Sequence, residues 1–328
     1  MNKLSILYGV YPWAMVCPGG GERQLFAYQK HLEAIGSVDI TLYDQWDPKL
    51  EGAKIFHFFS VMPGSFQLCE YMKGLGLKLV ISPNLWVTKD TMYDYPHDQI
   101  WPLINLADRI IVNSWKEAYS LAEVYGMPLD KFRVVYNGVE NEYFEPVVDL
   151  SFIDKFELDV NGYLLNVANI EPRKNQLKFI EAMLDVDTEL KLVIVGHIRD
   201  EEYARKVFEL GRGRVIHVGP LEYGSTILKS AFTCSKAFVM PSALETPSIA
   251  ALEATASGIP VLITKEGSTE EYFEGSAVFI DPNNIESMVR GLGEILSNNN
   301  KVAPLSRKYS WENVVDDLYN YYDELLNE

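Results

Sequence analysis

Short runs of apolar residues alternate with amphipathic segments along this chain, and the whole alternation occurs twice. Several of the runs, such as Lys78–Ser82 and Lys191–Gly196, are apolar almost throughout. Runs of this kind are typical of strands that are buried on both faces of a parallel sheet. The runs predicted as strands are Leu4–Val10, Val38–Tyr43, Lys54–Phe59, Lys78–Ser82, Arg109–Asn113, Arg133–Tyr136, Tyr163–Val167, Lys191–Gly196, Val215–Val218, Ala237–Met240, Pro260–Thr264 and Ala277–Ile280. Amphipathic segments between them are predicted as helices, so the sequence predicts an α/β protein with two doubly wound parallel sheets. The segments predicted as helices are Glu22–Ile35, Lys116–Tyr125, Lys174–Leu184, Glu201–Leu210, Ser248–Ser257 and Ile285–Ser297.

The segment Glu140–Leu158 contains acidic residues and Pro146 but few periodic apolar residues, and it is predicted to join two domains. We expect these domains to comprise residues 1–150 and 151–309. The final segment, 310–328, has apolar or aromatic residues at helical spacing from Trp311 onward, which predicts a helix with one buried face. Ligands of such sheets bind beyond the carboxyl ends of the strands, so we expect a site in a cleft that the two sheets face.

The composition excludes several classes of partner. There are 46 Asp and Glu residues against 29 Lys and Arg, a net charge of −17, and residues 1–150 hold 12 basic against 18 acidic residues, a net of 12 − 18 = −6. Nucleic-acid binding and polybasic membrane docking both need clustered cations, so we expect no nucleic acid and at most peripheral membrane contact through aromatic residues such as Trp46, Trp86 or Trp101. The 3 cysteines are far apart in the sequence, which argues against a disulfide framework or zinc site and favours the cytoplasm.

Three strand-to-helix connections contain residues that could bind a ligand. The first is Pro18–Glu22, where three glycines precede a predicted helix whose free N–H groups could bind an anion; a plain tight turn is the alternative. The second is Asn169–Asn175, with Arg173 and Lys174 at a predicted helix start. The helix dipole disfavours cations there, which indicates an anionic ligand such as a diphosphate; a solvated basic pair is the alternative.

The third connection, Pro241–Ala254, is the most informative. A strand leads into a loop that ends at Glu245, and Glu253 follows within a helix that is otherwise apolar or small. A carboxylate in such surroundings needs a partner. A ribose diol is one candidate, and a structural hydrogen bond is the other.

These connections resemble the motifs of the family 4 retaining glycosyltransferases. Glu245 and Glu253 match the E-x7-E signature of that family, and Arg173-Lys174 matches its paired cations within a stretch similar to "VGRLEPRKN". The remaining similarities are Gly19–Glu22 to "GGAE", Val134–Val139 with Phe144 to "VIPNGVD…F", and Ser310–Glu312 to the terminal "FSW" helix.

The resemblance implies a GT-B fold, in which two Rossmann-like domains face a cleft and the terminal helix 310–328 crosses back to the first domain. It also implies a donor nucleotide held mainly by the second domain. Arg173 and Lys174 would then neutralise the leaving diphosphate, and Glu245 would face the donor sugar. Glu253 would bind the ribose. The main-chain N–H groups near Thr246, Ser248 and Ile249, together with Gly20 and Gly21, would complete the nucleotide-sugar site.

The sequence departs from the family in two places. Thr246-Pro247-Ser248 stands where relatives often have "GFG", and Pro247 has no N–H to donate. Asn84 stands where many relatives have a histidine, whereas His57 matches an earlier "H-x-H" segment. Both are candidates for the acceptor side, although a lone histidine at a strand end is often structural. We expect no metal and no cofactor, because no D-x-D-like pair follows a strand and Asp316-Asp317 falls in the terminal helix.

The sequence therefore predicts a metal-independent hexosyltransferase that uses a nucleotide-sugar donor and a glycan or lipid-linked glycan acceptor. We expect it to act in surface polysaccharide biosynthesis, in the cytoplasm or at the inner face of the membrane. A disaccharide synthase or phosphorylase-like enzyme is an alternative. A non-catalytic subunit that binds a nucleotide sugar or a partner is another. The base, the sugar, the acceptor and the linkage are not indicated.

Overall fold

The computed structural model describes residues 3–16, 19–297 and 303–328, and it divides the chain into two compact units. The first unit comprises Met1–Gly138 and Lys308–Glu328, and the second comprises Val139–Arg307. The first unit ends at Gly138, before residue 150, the boundary expected from the sequence, because residues 139–150 belong to the second unit. There Ser230 Oγ donates a hydrogen bond of 2.6 Å to the Asp149 carbonyl oxygen.

The first unit contains a parallel sheet in the order β2-β1-β3-β4-β5-β6. Its strands are β1 Leu4–Val10, β2 Val38–Leu42, β3 Ile55–Phe59, β4 Lys78–Ser82, β5 Arg109–Val112 and β6 Phe132–Val134. Its helices are α1 Gly20–Ile35, α2 Phe66–Gly74, α3 His97–Leu106, α4 Trp115–Tyr125 and α12 Trp311–Asn327. Because the strand order reverses at β1 and β3, their carboxyl ends form the switch point of this sheet.

The second unit contains a parallel sheet in the order β12-β11-β10-β7-β8-β9. Its strands are β7 Tyr163–Val167, β8 Lys191–Val195, β9 Val215–Gly219, β10 Ala237–Met240, β11 Val261–Thr264 and β12 Val278–Ile280. Its helices are α5 Ser151–Phe156, α6 Gln176–Leu184, α7 Glu201–Leu210, α8 Thr226–Thr233, α9 Ile249–Ala256, α10 Thr269–Phe273 and α11 Ile285–Leu296. Counted within this unit the order is 6-5-4-1-2-3, the Rossmann order, with its switch point between β7 and β10.

The terminal helix α12 completes one face of the first sheet. Its buried residues, which include Trp311, Leu318 and Tyr322, join the core formed by β1, β3 and α1. Trp311 packs directly on Gly138, where a Cβ atom would lie 2.6 Å from the indole ring. Two segments that resemble family motifs, one around Gly138 and one around Trp311, are therefore packing partners in the core of the first unit.

His57 lies in the same core. It is fully buried in β3, one ring nitrogen bonds to the Tyr322 hydroxyl, and the other lies 2.8 Å from Ser82 Oγ. Burial lowers the pKa of His57 to about 3. The ring also stacks on Phe59 at 4.1 Å. The structure thus corrects the acceptor-side interpretation of His57, since both of its nitrogens are used inside the core.

Candidate functional site

The candidate site of the second unit lies at its switch point, where the connections that follow β7 and β10 are neighbours. The two connections are pinned together by main-chain and side-chain hydrogen bonds. Ala243 N–H donates to the Arg173 carbonyl at 2.9 Å, and Asn175 Nδ2 donates to the carbonyls of Pro241 and Pro282 at 3.1 and 2.8 Å. Asn175 has a φ of +58°, a conformation that asparagine tolerates better than most residues.

The paired cations occupy a 3₁₀ turn, Pro172–Lys174, that precedes α6. The sequence predicted Lys174 as the first residue of the helix. The helix begins two residues later, at Gln176, because the left-handed backbone of Asn175 cannot be part of a right-handed helix. The two side chains then diverge in exposure: that of Arg173 is 56% exposed and that of Lys174 only 12% exposed.

Lys174 forms an ion pair with Glu245, with Nζ 2.6 Å from Oε1. Arg173 Nη1 lies 4.0 Å from the same oxygen, and its Nη2 donates to Glu171 at 3.2 Å. Burial alone would raise the pKa of Glu245, but the Lys174 ammonium, with a smaller contribution from Arg173, holds that pKa below its usual value. Glu245 is therefore ionised, and the positive charge of Lys174 is balanced by that carboxylate. The exposed Arg173 is the cation best placed to bind an anion.

Glu245 is held by the loop after β11 through a short parallel bridge with Gly267. Glu245 N–H donates to the Glu266 carbonyl at 3.2 Å, and Ser268 N–H donates to the Glu245 carbonyl at 3.1 Å. Gly267 has a φ of +93°, and a Cβ atom there would lie 2.1 Å from the Glu245 carbonyl oxygen. Only glycine fits this position, so Gly267 is a supporting residue of the site that sequence reasoning missed.

Helix α9 begins at Ile249, four residues after Glu245, at the same switch point. Ser248 is its N-cap, and the Ser248 hydroxyl accepts a hydrogen bond of 3.3 Å from Ala251 N–H. Thr246, Ser248 and Ile249 are all half-buried. The N–H groups of the first helical residues have no partner within a helix, so this end of α9 offers donors to an anion. Thr246, Ser248 and Ile249 lie beside Glu245 at this end of the helix, and their role in binding phosphate stays a prediction.

Glu253 lies one turn into α9 and is only 2% exposed. Its neighbour across the unit is Tyr143, which ends a 3₁₀ turn before α5. Burial, and next the charge of Glu253, raise the pKa of the Tyr143 phenol well above its ordinary value. Tyr143 was not predicted to belong to the site, because 110 positions separate it from Glu253 and nothing local marks it.

The glycine-rich segment of the first unit forms the start of α1. Gly20 and Gly21 are the first two residues of that helix instead of a loop before it. Glu22 caps the N-terminus of α1. Its carboxylate accepts hydrogen bonds of 2.6 Å from Gly19 N–H and 3.0 Å from the Tyr11 hydroxyl. Pro18, the first residue of the motif, lies outside the described residues.

Asn84 follows β4, at the carboxyl edge of the first sheet, and is exposed. Its φ of +47° is left-handed, which favours asparagine at this position. A Cβ atom on Gly21 would lie 3.0 Å from Asn84 Nδ2, so Asn84 and the start of α1 are direct neighbours. Of the predicted residues in the first unit, the structure brings Gly20, Gly21 and Asn84 to one edge, whereas His57 is in the core.

Neither a membrane-spanning helix nor a metal-binding cluster is found among the residues that the structure describes. No helix among them has the length and apolar character needed to span a bilayer. Residues 3–16, 19–297 and 303–328 also contain no group of three or more His, Cys, Asp or Glu side chains that could hold a metal ion.

Comparison with known proteins identifies both halves of the chain. Residues 153–310 match the family model "Glycosyl transferases group 1", and residues 19–143 match "Glycosyltransferase Family 4". An uncharacterized glycosyltransferase of Methanocaldococcus jannaschii is 29% identical over 223 residues, which cover 62% of this chain and 56% of the relative. The chain thus spans little more than half the length of the curated relatives it matches.

Two crystal structures show the same fold at low sequence identity. A glycosyltransferase from Rickettsia africae has a TM-score of 0.81 with 17% identity, and the match covers 99% of each chain. HepE of Anabaena, in complex with UDP and glucose, has a TM-score of 0.79 with 14% identity over 98% of this chain and 100% of its own. These matches confirm the predicted fold class, two α/β units of the GT-B type. The two family models, which between them match residues 19–143 and 153–310, show that the chain belongs to glycosyltransferase family 4.

Proposed function

We propose that the protein is a retaining glycosyltransferase that transfers a sugar from a nucleotide-diphosphate donor to a glycan or lipid-linked glycan. The observation that carries the proposal is the cluster of Arg173, Lys174 and Glu245 at the switch point of the second unit, beside the start of α9. An exposed cation next to free helix N–H groups is suited to a diphosphate. Family membership supports the reaction class, and the bound UDP in HepE supports UDP as the nucleotide.

The chemistry assigns a role to each part of the cluster. The bond between the anomeric carbon and the diphosphate oxygen breaks, and a new bond forms between that carbon and an acceptor hydroxyl oxygen. The diphosphate leaves with one additional negative charge, and the proton of the acceptor hydroxyl passes to the departing diphosphate oxygen or to solvent water. A cation placed where that charge develops lowers the barrier, and the arrangement of Arg173 is suited to this role. Lys174 keeps Glu245 ionised and in place.

Glu245 and Glu253 would divide the recognition of the donor. Glu245, at the edge of the cluster, would accept hydrogen bonds from hydroxyl groups of the donor sugar. Glu253, beside Tyr143, would bind the ribose. With this assignment we expect activity without a metal ion, because Arg173 and Lys174 take the place of a divalent cation beside the diphosphate.

The test is a panel of UDP-glucose, UDP-galactose, UDP-N-acetylglucosamine and GDP-mannose, with release of nucleotide diphosphate and thermal stabilisation measured for each. We expect one UDP-sugar to be turned over, with activity that survives EDTA. Binding of a donor without release would instead favour the non-catalytic subunit. Absence of both binding and release would contradict the proposal.

Two variants sharpen the assignment within the site. Glu253→Ala should weaken binding of free UDP by about 10-fold or more, as expected for loss of a charge-assisted hydrogen bond. Glu245→Ala should leave the affinity for free UDP nearly intact and lower the turnover of the UDP-sugar. Glu202→Ala, at an exposed ion pair with Lys206 in α7, is the matched control. Equal losses of UDP affinity in both site variants would refute the division of roles.

A further inference from the structure

Three side-chain amides form a continuous hydrogen-bonded series at the carboxyl edge of the first sheet. Gln24 of α1 donates through Nε2 to Asn113 Oδ1 at 2.5 Å. Asn113, which follows β5, donates through Nδ2 to Asn84 Oδ1 at 3.1 Å. Gln24 is 1% and Asn113 6% exposed, whereas Asn84 at the end of the series is exposed. The series therefore runs from the core of the first unit to its surface.

Each amide has an acceptor end and a donor end, so the series has a direction. Gln24 Nε2 also donates to the Tyr28 hydroxyl at 3.0 Å. Gln24 Nε2 also donates to Asn113 Oδ1, so the oxygen of Asn113 faces Gln24. The Nδ2 group of Asn113 therefore faces Asn84. The oxygen of Asn84 is used in turn, which leaves Asn84 Nδ2 as the outward end. Among the residues that the structure describes, that nitrogen makes no hydrogen bond, and it lies beside Gly21 at the start of α1.

The middle of the series is fixed to the backbone. Asn113 N–H donates to the buried Glu117 carboxylate at 2.7 Å, and Glu117 N–H donates to the Ser114 hydroxyl at 3.0 Å at the start of α4. These bonds fix the backbone of Asn113 at the end of β5, and the Asn113 amide is held by its two bonds to Gln24 and Asn84. The outer end is constrained as well, because Asn84 adopts a left-handed φ beside Gly21.

We propose that Gln24 and Asn113 are positioning residues that orient the Asn84 amide so that it presents its NH2 group and not its carbonyl. The exposed end of the series then selects an oxygen with free lone pairs, such as a sugar hydroxyl or a phosphate oxygen, and rejects a donor-only group. The inference deepens the proposed function, on which it rests for the identity of the ligand as a sugar substrate. The direction of the amide series rests on the structure alone.

The series predicts a specific effect of Asn113→Asp. The carboxylate has no NH2 group, so Asn84 must turn to donate to it and would present its carbonyl outward. We expect kcat/KM for UDP release from the UDP-sugar to fall about 10-fold, and Asn84→Ala to cause a similar loss alone. Adding Asn84→Ala to Asn113→Asp should cause little further loss, because the outward NH2 group is already gone.

The controls separate a positioning role from a structural one. Asn105→Asp makes the same chemical change at an exposed position in α3 and should leave kcat/KM within twofold of wild type. Asn84→Asp, at an exposed position, replaces the outward NH2 by an oxygen and should reproduce the loss even if Asn113→Asp does not fold. Thermal unfolding of each variant identifies any that are not native.

Titration of UDP distinguishes the possible oxygens and the possible failures. Unchanged UDP affinity in Asn84→Asp means that the amide binds a sugar oxygen, whereas an equal loss of UDP affinity means that it binds a phosphate oxygen; the series stands in both cases. A folded Asn113→Asp variant with wild-type turnover, or losses that multiply to about 100-fold in the double variant, would overturn the proposed direction of the amide series.

If the wild type shows no binding and no turnover, the proposed function fails. The direction of the series is then tested by hydrogen exchange of the side-chain amides, which should be slow at Asn113 and fast at Asn84; the reverse order would overturn it.

Discussion

The two parallel sheets end in edges of opposite chemical character. At the carboxyl edge of the second sheet, two cations and two carboxylates form an ionic cluster around Arg173, Lys174 and Glu245. At the carboxyl edge of the first sheet, the neutral amides Gln24, Asn113 and Asn84 form the hydrogen-bonded series, and the nearby carboxylates of Glu22 and Glu117 accept hydrogen bonds from backbone N–H groups. One architecture thus supports two kinds of recognition: charge suits a diphosphate, and neutral donors with a fixed direction suit sugar oxygens.

The two edges also differ in how their polar groups are anchored. The ionic cluster depends on loop-to-loop contacts, through Asn175 and Gly267, and one of its cations remains exposed. The amide series is anchored from the core outward. We therefore expect substitutions in the charged edge to separate stability from activity, since one cation is buried in an ion pair and the other is not.

The largest expected effect concerns the buried cation. Lys174→Ala leaves Glu245 buried without its partner, and removal of one member of such a pair costs about 3 kcal/mol of unfolding free energy. Urea unfolding of the variant measures this cost. Lys206→Ala, which removes an exposed ion pair with Glu202, is the matched control and should cost about 0.5 kcal/mol or less. Similar costs for the two lysines would show that the Lys174–Glu245 pair contributes no more than a surface pair.

The exposed cation should behave in the opposite way. Arg173→Ala should lower turnover of the UDP-sugar about 100-fold, equivalent to about 2.7 kcal/mol of transition-state stabilisation, with little change in unfolding free energy. Steady-state kinetics and urea unfolding measure the two quantities. Arg205→Ala, at an exposed pair with Glu209 in the same unit, should change neither. Normal turnover in Arg173→Ala would show that Arg173 does not stabilise the diphosphate, and the assignment of the diphosphate to this edge would be wrong.

The next effect tests the packing of the first unit. Gly138→Ala should destabilise the protein by about 2 kcal/mol, because the added methyl group meets the Trp311 ring and overpacked cores are strained. Gly293→Ala is the control, since this helical glycine of α11 has open space around it and alanine favours a helix. Thermal or urea unfolding should show opposite signs for the two changes. An unchanged unfolding free energy in Gly138→Ala would mean that the Trp311 ring moves aside for the methyl group without cost.

The last effect, which is the smallest when counted per pH unit, is a pH dependence that originates in the core of the first unit. Burial lowers the pKa of His57 to about 3, so the unfolded chain binds the proton more readily than the folded one between pH 3 and 6.5. Unfolding free energy should therefore decrease on acidification below pH 6.5, by at most about 1.4 kcal/mol per pH unit from this single group. Urea unfolding from pH 7 to pH 4 measures the slope. In His57→Gln the slope should be shallower; an unchanged slope would assign it to other groups.

Much of the fold was predictable from local sequence. All twelve predicted strands are present, with ends that differ by one or two residues in several cases, because strands buried on both faces leave an uninterrupted apolar signal. Helices α2, α3, α5, α8 and α10 were not predicted. Helix α3 contains Pro102, and α5 and α10 are only 6 and 5 residues long, so their periodic signal is weak.

The site was predictable only in part, and the reason is sequence distance. Arg173, Glu245 and Ser248 each lie in a recognisable strand-to-helix connection, and the switch point brings these connections together. The amide series joins positions 24, 84 and 113, and the Tyr143–Glu253 contact joins two segments of the second unit that no local pattern relates. His57 shows the converse case: its motif suggested a ligand, but its partners Tyr322 and Ser82 belong to distant strands and helices.

The most direct test of the contrast between the two edges is calorimetric titration of UDP into the wild type, Arg173→Ala and Asn84→Asp. A diphosphate bound at the charged edge and a sugar recognised at the neutral edge predict that UDP binds the wild type and binds Arg173→Ala at least 10-fold more weakly. UDP should bind Asn84→Asp within twofold of wild type. Equal weakening in both variants, or wild-type affinity in Arg173→Ala, would contradict this assignment of the two edges.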